Sequence, residues 1–326
     1  GKSTTAKLLT HLLAHAGVKV CLAGNIGRHM LDSEETDIDW WVIELSSYQL
    51  SDLQAKPDVA LLLNLSEEHV DWHGGVERYA EDKLRLAELT KEGRVLVNFA
   101  DATLVERLAN HPGVVWFNHN NSWQACDKAV IGNKAGRICA PASLPGTHNM
   151  QNLAAALTVV DELGLELEDL EATLSSFRGL PHRQQFIGEK NGIRYINDSI
   201  STTPVSVAAA LQAIDTNDVV LLLGGLDRGL DWSEFASRLA QQTPHAIITM
   251  PDNGLAISAA LIAAGVKPLG GLHSGLLLPA AIELAEQIVP QNGCILLSPG
   301  APSFPQFKDY ADRGRQFEKY AAIEKT

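Results

Sequence analysis

The first residues of the chain have the types that bind phosphate. Gly1-Lys2-Ser3-Thr4 matches the end of the phosphate loop G-x-x-x-x-G-K-[ST], in which backbone amides surround phosphates, the lysine reaches the outer phosphates and the hydroxyl binds Mg²⁺. Apolar residues at helical spacing follow at Leu9, Leu12, Leu13 and Ala16. The sequence therefore predicts a helix whose N-terminus faces an anion. Because only part of the motif is present, an ordinary solvated helix start is the alternative.

A carboxylate and an imidazole follow two predicted strands. Glu44 lies near the end of the apolar run Trp40–Leu45, and His69 comes shortly after the run Val59–Asn64. In open α/β sheets ligands bind at the carboxyl ends of the strands, so we expect Ser3, Glu44 and His69 to converge. A hydroxyl, a carboxylate and an imidazole beside a phosphate suit Mg²⁺. Taken singly, Glu44 is equally compatible with a strand-end cap and His69 with an ordinary surface or core histidine.

Lys83 lies beside an apolar stripe of the predicted helix Val76–Thr90. Its neighbours three and four residues away carry no charge; they are Tyr79, Ala80, Leu86 and Ala87. Burial there would disfavour the ammonium form and leave a neutral amine. Such an amine can act as a nucleophile or take up CO₂ to form a carbamate, which is an anionic metal ligand. The alternative is a lysine that extends past the stripe to water.

Three polar loops follow predicted strands in the second half of the chain. They are Asn197-Asp198-Ser199, Gly224-Gly225-Leu226-Asp227-Arg228 and Ser298-Pro299-Gly300-Ala301-Pro302-Ser303. Small residues there let a ligand approach the backbone, and Arg228 could hold a carboxylate with two hydrogen bonds. Ordinary turn formation is the alternative, because Gly, Pro, Ser and Asp are common turn residues.

Alternating strand and helix patterns must position these residues. They predict an α/β chain, in which a mostly parallel central sheet domain containing the phosphate loop (1–179) precedes a Rossmann-like, doubly wound C-terminal domain (180–326). The boundary is placed at Gly179-Leu180-Pro181-His182, and a small antiparallel flap is expected within 120–145. Further strands are predicted at Val18–Leu22, Arg94–Asn98, Val114–Asn118, Ile193–Asn197, Val219–Leu223, Ala246–Met250 and Cys294–Leu297.

Composition excludes several classes of protein. The 326 residues hold 26 Lys and Arg against 39 Asp and Glu, and the net charge of −13 argues against a nucleic-acid-binding surface over the whole molecule. No apolar run approaches the ~18 residues of a membrane helix, so no membrane partner is expected. The four cysteines are dispersed, without zinc or disulfide spacing, which favours a cytoplasmic protein.

The motifs, taken in order, resemble those of the Mur ligases, and most closely the type that adds glutamate to UDP-N-acetylmuramoyl-L-alanine in peptidoglycan synthesis. The resemblance rests on G-K-S-T-T, Gly24-Asn25-Ile26-Gly27, Glu44-Leu45-Ser46-Ser47-Tyr48-Gln49-Leu50, Glu68-His69-Val70-Asp71, Lys83-Leu84-Arg85, Gly146-Thr147-His148-Asn149, Leu180-Pro181-His182-Arg183, Asn197-Asp198-Ser199 and Leu297-Ser298-Pro299. It implies a monomer that acts in cell wall biogenesis, cell shape and cell division. The family's first, uridine-diphosphate-binding domain lies upstream of the phosphate loop, so we expect an N-terminally truncated chain that is inactive alone.

The resemblance also implies roles for individual residues. Lys2, Ser3 and Thr4 would hold the ATP phosphates, with Ser3 and Glu44 on one Mg²⁺, and His69 and a carbamylated Lys83 at a second Mg²⁺ site. Asn25 would face the acyl substrate. The nucleotide would contact Asn152, Arg183 and Asp198, and the incoming glutamate Thr202, Arg228, Ser303 and Tyr310.

The resemblance implies carboxylate activation. The alanyl carboxylate would attack the γ-phosphate of ATP to give an acyl phosphate and ADP, and the glutamate amine would then displace phosphate. D-Glutamate is favoured because most of the family uses it. The common D-glutamate-adding enzymes read Asp-Ser-Lys-Ala-Thr where this chain has Ile200 within Asp198–Thr202, and Arg228 replaces a usual lysine. An Arg fork and a Lys point charge hold a carboxylate differently, so L-glutamate is the alternative.

Two other functions are compatible with the phosphate motif. A folylpolyglutamate synthase, from the same superfamily, would share the phosphate loop and the lysine carbamate. The order and the residues of the second-domain motifs disfavour this alternative. A nucleotide switch or NTPase would need neither Lys83 nor Arg228, and the chain lacks the guanine signature N-K-x-D.

The nucleotide product separates amide ligation through an acyl phosphate from adenylate chemistry. We expect ATP turnover with both substrates to release ADP and phosphate, because the carboxylate is phosphorylated and not adenylated. Chromatography of the nucleotides after turnover measures this. AMP with pyrophosphate would contradict the mechanism, and ADP release that needs no acyl substrate would favour a simple NTPase.

Overall fold

The computed structural model describes most of the chain as two compact units, Gly1–Gly179 and Leu180–Thr326. The described residues are 1–27, 37–65, 70–90, 94–132, 136–141, 143–214 and 216–322. Within them, no helix is long and apolar enough to cross a membrane.

The first unit alternates strands and helices. Its elements are α1 (Lys2–His15), β1 (Val20–Gly24), β2 (Trp40–Glu44), α2 (Ser47–Leu50), β3 (Val59–Leu62), α3 (Val70–His73), α4 (Val76–Leu89), β4 (Arg94–Asn98), α5 (Ala102–Leu108), β5 (Val114–Phe117), β6 (Gln124–Cys126), β7 (Ala129–Gly132), β8 (Gly136–Cys139), α6 (Thr147–Glu162) and α7 (Leu170–Ser176). β1 pairs with β2, and β3, β4 and β5 pair in that order, all in parallel. β6, β7 and β8 form an antiparallel sheet, which confirms the flap expected within 120–145.

The core of the first unit lies around α1 and α6. The two helices pack against each other, and α1 also packs on β1 and β2. Leu8, Leu12 and Leu153 are fully buried there because the apolar face of each helix recurs every three to four residues. This packing sets α1 against the strands that carry the predicted Mg²⁺ ligand Glu44.

Gly24 allows β1 and β2 to end side by side. Its φ is +99°, and a Cβ atom there would lie 2.2 Å from the backbone oxygen of Glu44, so the position requires glycine. The next amide, Asn25 N, donates to Glu44 O at 2.9 Å. The loop after β1 is thereby fixed to the carboxyl end of β2.

The second unit is a doubly wound sheet. Its elements are β9 (Gln185–Lys190), β10 (Ile193–Asn197), α8 (Pro204–Gln212), β11 (Val219–Leu223), α9 (Ser233–Gln241), β12 (Ala246–Thr249), α10 (Gly254–Ala263), β13 (Leu272–Ser274), α11 (Leu278–Ile288), β14 (Cys294–Leu297) and α12 (Tyr310–Ala321). The strand order is β13-β12-β11-β14-β10-β9, with only β9 antiparallel to its neighbour.

Both faces of this sheet are covered by helices. Val220 and Leu222 of β11 join one apolar cluster, while Val219 and Leu221 join another on the opposite face. All five residues of β11 are buried, as expected of a central parallel strand. The predicted α/β fold class is thus confirmed.

Several elements differ from the sequence-based expectation. β1 occupies Val20–Gly24 and not Val18–Leu22, because its register is set by pairing with β2. The edge strands β9 and β13 and the short helices α2, α3 and α5 were not expected. α12 begins at Tyr310 because the side chain of Asp309 caps the helix by accepting from Asp312 N.

Candidate active site

The start of α1 lies at the carboxyl ends of parallel strands. A Cβ atom on Gly1 would lie 2.4 Å from Asn152 Oδ1 and 3.2 Å from Leu63, just past β3. A small cavity here is lined by Gly1, by the ends of β3, β4 and β5, and by the first turns of α6. The structure therefore brings together the phosphate-motif glycine and Asn152, a residue predicted to contact the nucleotide.

An asparagine network fixes these strand ends. Asn98 Nδ2 donates to Leu63 O at 2.9 Å, and Asn118 Nδ2 donates to Asn98 Oδ1 at 2.8 Å. On α6, Asn152 Nδ2 donates to Asn149 Oδ1 at 3.0 Å. Sequence reasoning missed Asn98, although its place at the end of β4 was a usable signal.

Glu44 supplies a buried carboxylate at the end of β2. Its exposure is 7%, and Oε2 has no hydrogen-bond partner within the described part of the chain. Thr5 Oγ1 of α1 is likewise buried without a partner. A buried oxygen atom without a partner is costly, and a hard cation with a few carboxylate ligands is the group that Glu44 fits.

The other predicted phosphate-site residues form the first turn of α1. Lys2 is exposed, Ser3 is half-buried and Thr4 is buried. Asn25, predicted to face the acyl substrate, is exposed beside the end of β2. Among the residues that the structure describes, no three His, Cys, Asp or Glu side chains cluster as a metal site. A Mg²⁺ ion there would depend on Ser3, Glu44, phosphate and water oxygens.

The two remaining predicted metal-site residues are His69 and Lys83. His69 lies outside the described residues. Lys83 is half-buried on α4, with Nζ 4.6 Å from the centroid of the Tyr79 ring. The aromatic face stabilises a cation there and shields one side of the amine from water.

A buried pair next to Lys83 was missed by sequence reasoning. His73, the last residue of α3, donates through Nδ1 to Oδ2 of Asp82 on α4 at 2.7 Å. Its ring packs against Tyr48 and Tyr79, and its Nε2 is buried without a hydrogen-bond partner among the described residues. The hydrogen bond joins α3 to α4, and Asp82 immediately precedes Lys83 on α4. No helical spacing in the sequence links positions nine residues apart.

Asp198 is the buried carboxylate of the second unit. Its Oδ2 accepts from Ser201 Oγ and from Ser298 Oγ at 2.7 Å, and its Oδ1 accepts from Gln184 N at 3.0 Å. Burial raises the pKa of Asp198, and the two serine hydroxyls oppose that effect. Arg183, predicted to contact the same nucleotide, has a buried Nε atom without a partner among the described residues.

The strand-end loops of the second unit are cross-linked. Leu226 N donates to Pro302 O at 3.0 Å, which joins the loops that carry Arg228 and Ser303. Ser199 Oγ donates to Tyr310 O at 2.7 Å. Four residues predicted to bind glutamate lie on these loops and at the start of α12: Thr202 is half-buried, Ser303 is buried, and Arg228 and Tyr310 are exposed.

Comparison with known proteins decides the family. Residues 1–160 match the Mur ligase middle domain, and residues 182–300 match the glutamate ligase domain of Mur ligases. The chain belongs to the Mur ligase family. These enzymes are ATP-dependent amide-bond ligases that use ATP and Mg²⁺.

Curated relatives are similar in sequence over nearly the whole chain, and two of them illustrate this. A UDP-N-acetylmuramoyl-L-alanine–L-glutamate ligase from Xanthomonas oryzae pv. oryzae is 44% identical over 99% of this chain and 71% of its own length. The protein of the same name from Xylella fastidiosa (strain Temecula1) is 43% identical with the same coverage. The resemblance to the Mur ligases predicted from the motifs is thus confirmed.

Solved Mur ligases share the fold at low sequence identity. The MurF ligase from Thermotoga maritima, solved in complex with ADP, is 19% identical, with a TM-score of 0.71 over 98% of this chain and 78% of that chain. The MurC ligase from the same organism is 21% identical, with a TM-score of 0.70 over 99% and 74%.

The His73–Asp82 pair should contribute to the stability of this Mur ligase. We expect Asp82→Ala to lower the free energy of unfolding by roughly 1–3 kcal/mol, because it leaves a buried imidazole without its acceptor. Urea denaturation measures the change. The matched control is Glu81→Ala on the exposed face of the same turn, expected within about 0.5 kcal/mol of the parent. Equal stabilities of the two variants would show that the pair contributes nothing.

Proposed function

We propose that the protein is a ligase that adds L-glutamate to UDP-N-acetylmuramoyl-L-alanine with ATP, in the cytoplasm and as a monomer. The observation that carries the proposal is the buried Oε2 of Glu44, which has no hydrogen-bond partner among the described residues. Glu44 ends a strand on which the phosphate-motif helix packs. Such a carboxylate suits a Mg²⁺–nucleotide complex. The relatives' names supply the reaction class and the acceptor.

The chain's own residues would act on two anions that must be brought together. Lys2 and the N-terminus of α1 attract the ATP phosphates, and Asn25 faces the acyl substrate. The alanyl carboxylate then attacks the γ-phosphorus, the bond to ADP breaks, and an acyl phosphate forms. The glutamate amine attacks the acyl carbon, loses a proton and releases inorganic phosphate.

Ser3 and Glu44 would hold one Mg²⁺, and His69 and a carbamate on Lys83 would hold a second. When bound, the metal supplies charge neutralisation of the phosphate oxygens. Lys83 would form its carbamate by attack of the neutral amine on CO₂ with loss of a proton. Lys83 is half-buried beside the Tyr79 ring, so its side chain remains partly accessible to dissolved CO₂, which supports this assignment.

The remaining predicted residues would bind the other ligands. Asn152, Arg183 and Asp198 would contact the nucleotide. Thr202, Arg228, Ser303 and Tyr310 would bind glutamate, with Arg228 on a carboxylate. Arg228 and Tyr310 are exposed, so a ligand can reach both side chains.

L-Glutamate replaces the D-glutamate that the sequence analysis favoured. The relatives that share 43–44% identity are named for the L enantiomer. Ile200 and Arg228, which depart from the usual D-glutamate pattern, both lie in strand-end loops of the second unit. A change of enantiomer requires moved donors, so these departures support the second of the two possibilities.

Turnover with each enantiomer tests the choice. We expect the full-length enzyme to form the amide with L-glutamate and at least about 100-fold more slowly with D-glutamate, the discrimination that roughly 2.7 kcal/mol provides. Phosphate release coupled to chiral analysis of the product measures it. A preference for D-glutamate would show that the enzyme is of the commoner, D-glutamate-adding type. Turnover with neither enantiomer would show that glutamate is not the substrate.

Replacement of Lys83 tests the carbamate. We expect both Lys83→Ala and Lys83→Arg to lose at least about 100-fold in kcat, because neither can bind CO₂ and the arginine keeps the positive charge. Added short carboxylic acids should partly restore the alanine variant. The exposed Lys267 provides the control, and Lys267→Ala should keep parental activity.

A second measurement reads the carbamate without turnover. ¹³C-bicarbonate should give a carbamate carbon signal in the parent that is lost in Lys83→Arg and kept in Lys267→Ala. Near-parental activity of Lys83→Arg, or a carbamate signal that survives that substitution, would contradict the assignment.

A further inference from the structure

Arg313 of α12 is a fully buried cation that the proposed mechanism does not use. Its exposure is 0%, which makes it the largest fully buried side chain among the described residues. Its Nε donates to Ser199 Oγ at 3.0 Å, and its Nη2 donates to Ser199 O at 2.8 Å and to Ala301 O at 2.9 Å. Its Nη1 is buried without a hydrogen-bond partner in the described structure.

The guanidinium lies beneath three strand-end loops. Ser199 follows β10, Ala301 follows β14, and Gly225 follows β11. A Cβ atom on Gly225 would lie 3.1 Å from Arg313 Nη1 and 2.3 Å from Pro302 O, so the Gly-Gly turn rests directly on the guanidinium. One side chain therefore contacts the loops after three adjacent strands of the sheet.

These loops carry the residues predicted to bind the amino acid. Thr202 is on the first, Arg228 on the second and Ser303 on the third. Ser199 Oγ, which accepts from Arg313, donates to the backbone oxygen of Tyr310, the fourth predicted residue. A shift of the guanidinium would therefore move all four positions together.

The charge of Arg313 has no acidic counterpart in the parts of the second unit that the structure describes. Burial alone lowers the pKa of Arg313, to about 9, so the guanidinium remains charged at neutral pH. Asp198, the buried carboxylate next to Ser199, is hydrogen-bonded instead by Ser201, Ser298 and Gln184. A buried cation without a counter-ion is costly, and its field is weakly screened because the surroundings have a low dielectric constant.

We propose that Arg313 is a positioning and specificity residue of the amino-acid site: it holds the three loops in one arrangement and gives the site the positive potential that selects an amino acid with two carboxylates. The inference rests on the proposed function, since it takes glutamate as the incoming substrate. A purely structural arginine would support folding and leave substrate preference unchanged.

Steady-state kinetics of the full-length enzyme tests the proposal. We expect Arg313→Met, which keeps the length and removes the charge, to raise the KM for glutamate by at least about tenfold and the KM for ATP by less than about twofold. Arg313→Lys keeps the charge but not the fork, and should give an intermediate KM for glutamate. Arg315→Met, two residues along α12 and 59% exposed, is the control and should leave both constants unchanged.

The outcomes separate the two hypotheses. An active parent enzyme with an unchanged KM for glutamate in Arg313→Met would overturn the inference, as would equal increases in the KM for ATP and for glutamate. A parent enzyme that forms no amide from glutamate would instead overturn the proposed function. If Arg313→Met fails to fold, Ser199→Ala decides: it removes the shared hydroxyl, and an unchanged KM for glutamate there would overturn the inference.

Discussion

The central strands of both units, such as β4 and β11, are buried, so polar side chains gather where the strands end. β11 is buried along its whole length, and β4 along all but its first residue, which leaves little room for charge within the sheets. Backbone amides and short polar side chains emerge together at the carboxyl edge. Asn98, Glu44 and Asp198 all lie at such edges. The fold therefore determines where chemistry is possible before any particular residue is chosen.

Some buried polar atoms near these strand ends are hydrogen-bonded, whereas others have no partner among the described residues. Asp198 has three donors and the asparagine network is largely satisfied, whereas Glu44 Oε2 and Arg313 Nη1 are buried without partners among the described residues. Folding alone gains nothing from such atoms, because each loses its hydration. The two atoms have opposite charge preference: the carboxylate suits a cation in the first unit, and the guanidinium suits an anion in the second. Their chemistry matches a ligase that uses a metal–nucleotide complex and an acidic amino acid.

The sequence predicted the elements whose apolar patterns are long and continuous. Arg94–Asn98, Val219–Leu223 and Cys294–Leu297 were predicted with their observed bounds because strands buried on both faces leave an unbroken apolar run. The edge strands β9 and β13 were missed because one edge of each pairs with no other described strand, and such edge strands tolerate polar residues. The resemblance implied a nucleotide contact for Asn152, and the structure places its side chain beside Gly1 of the phosphate motif. His73–Asp82 and Arg313 could not be predicted, because their partners come from distant positions that only the folded chain brings together.

The charges of Arg228 and Arg313 in the second unit are screened to different extents, because Arg228 is exposed and Arg313 is buried. Arg228 is in contact with water, so dissolved salt weakens its attraction for an anion beyond roughly 8–10 Å. Arg313 has no solvent around it, and its field reaches the strand ends with little screening. The whole chain carries a net charge of −13, which repels an acidic amino acid at long range. In the proposed function, the buried cation under these loops would offset that repulsion where glutamate binds, and the exposed Arg228 would contact the substrate directly.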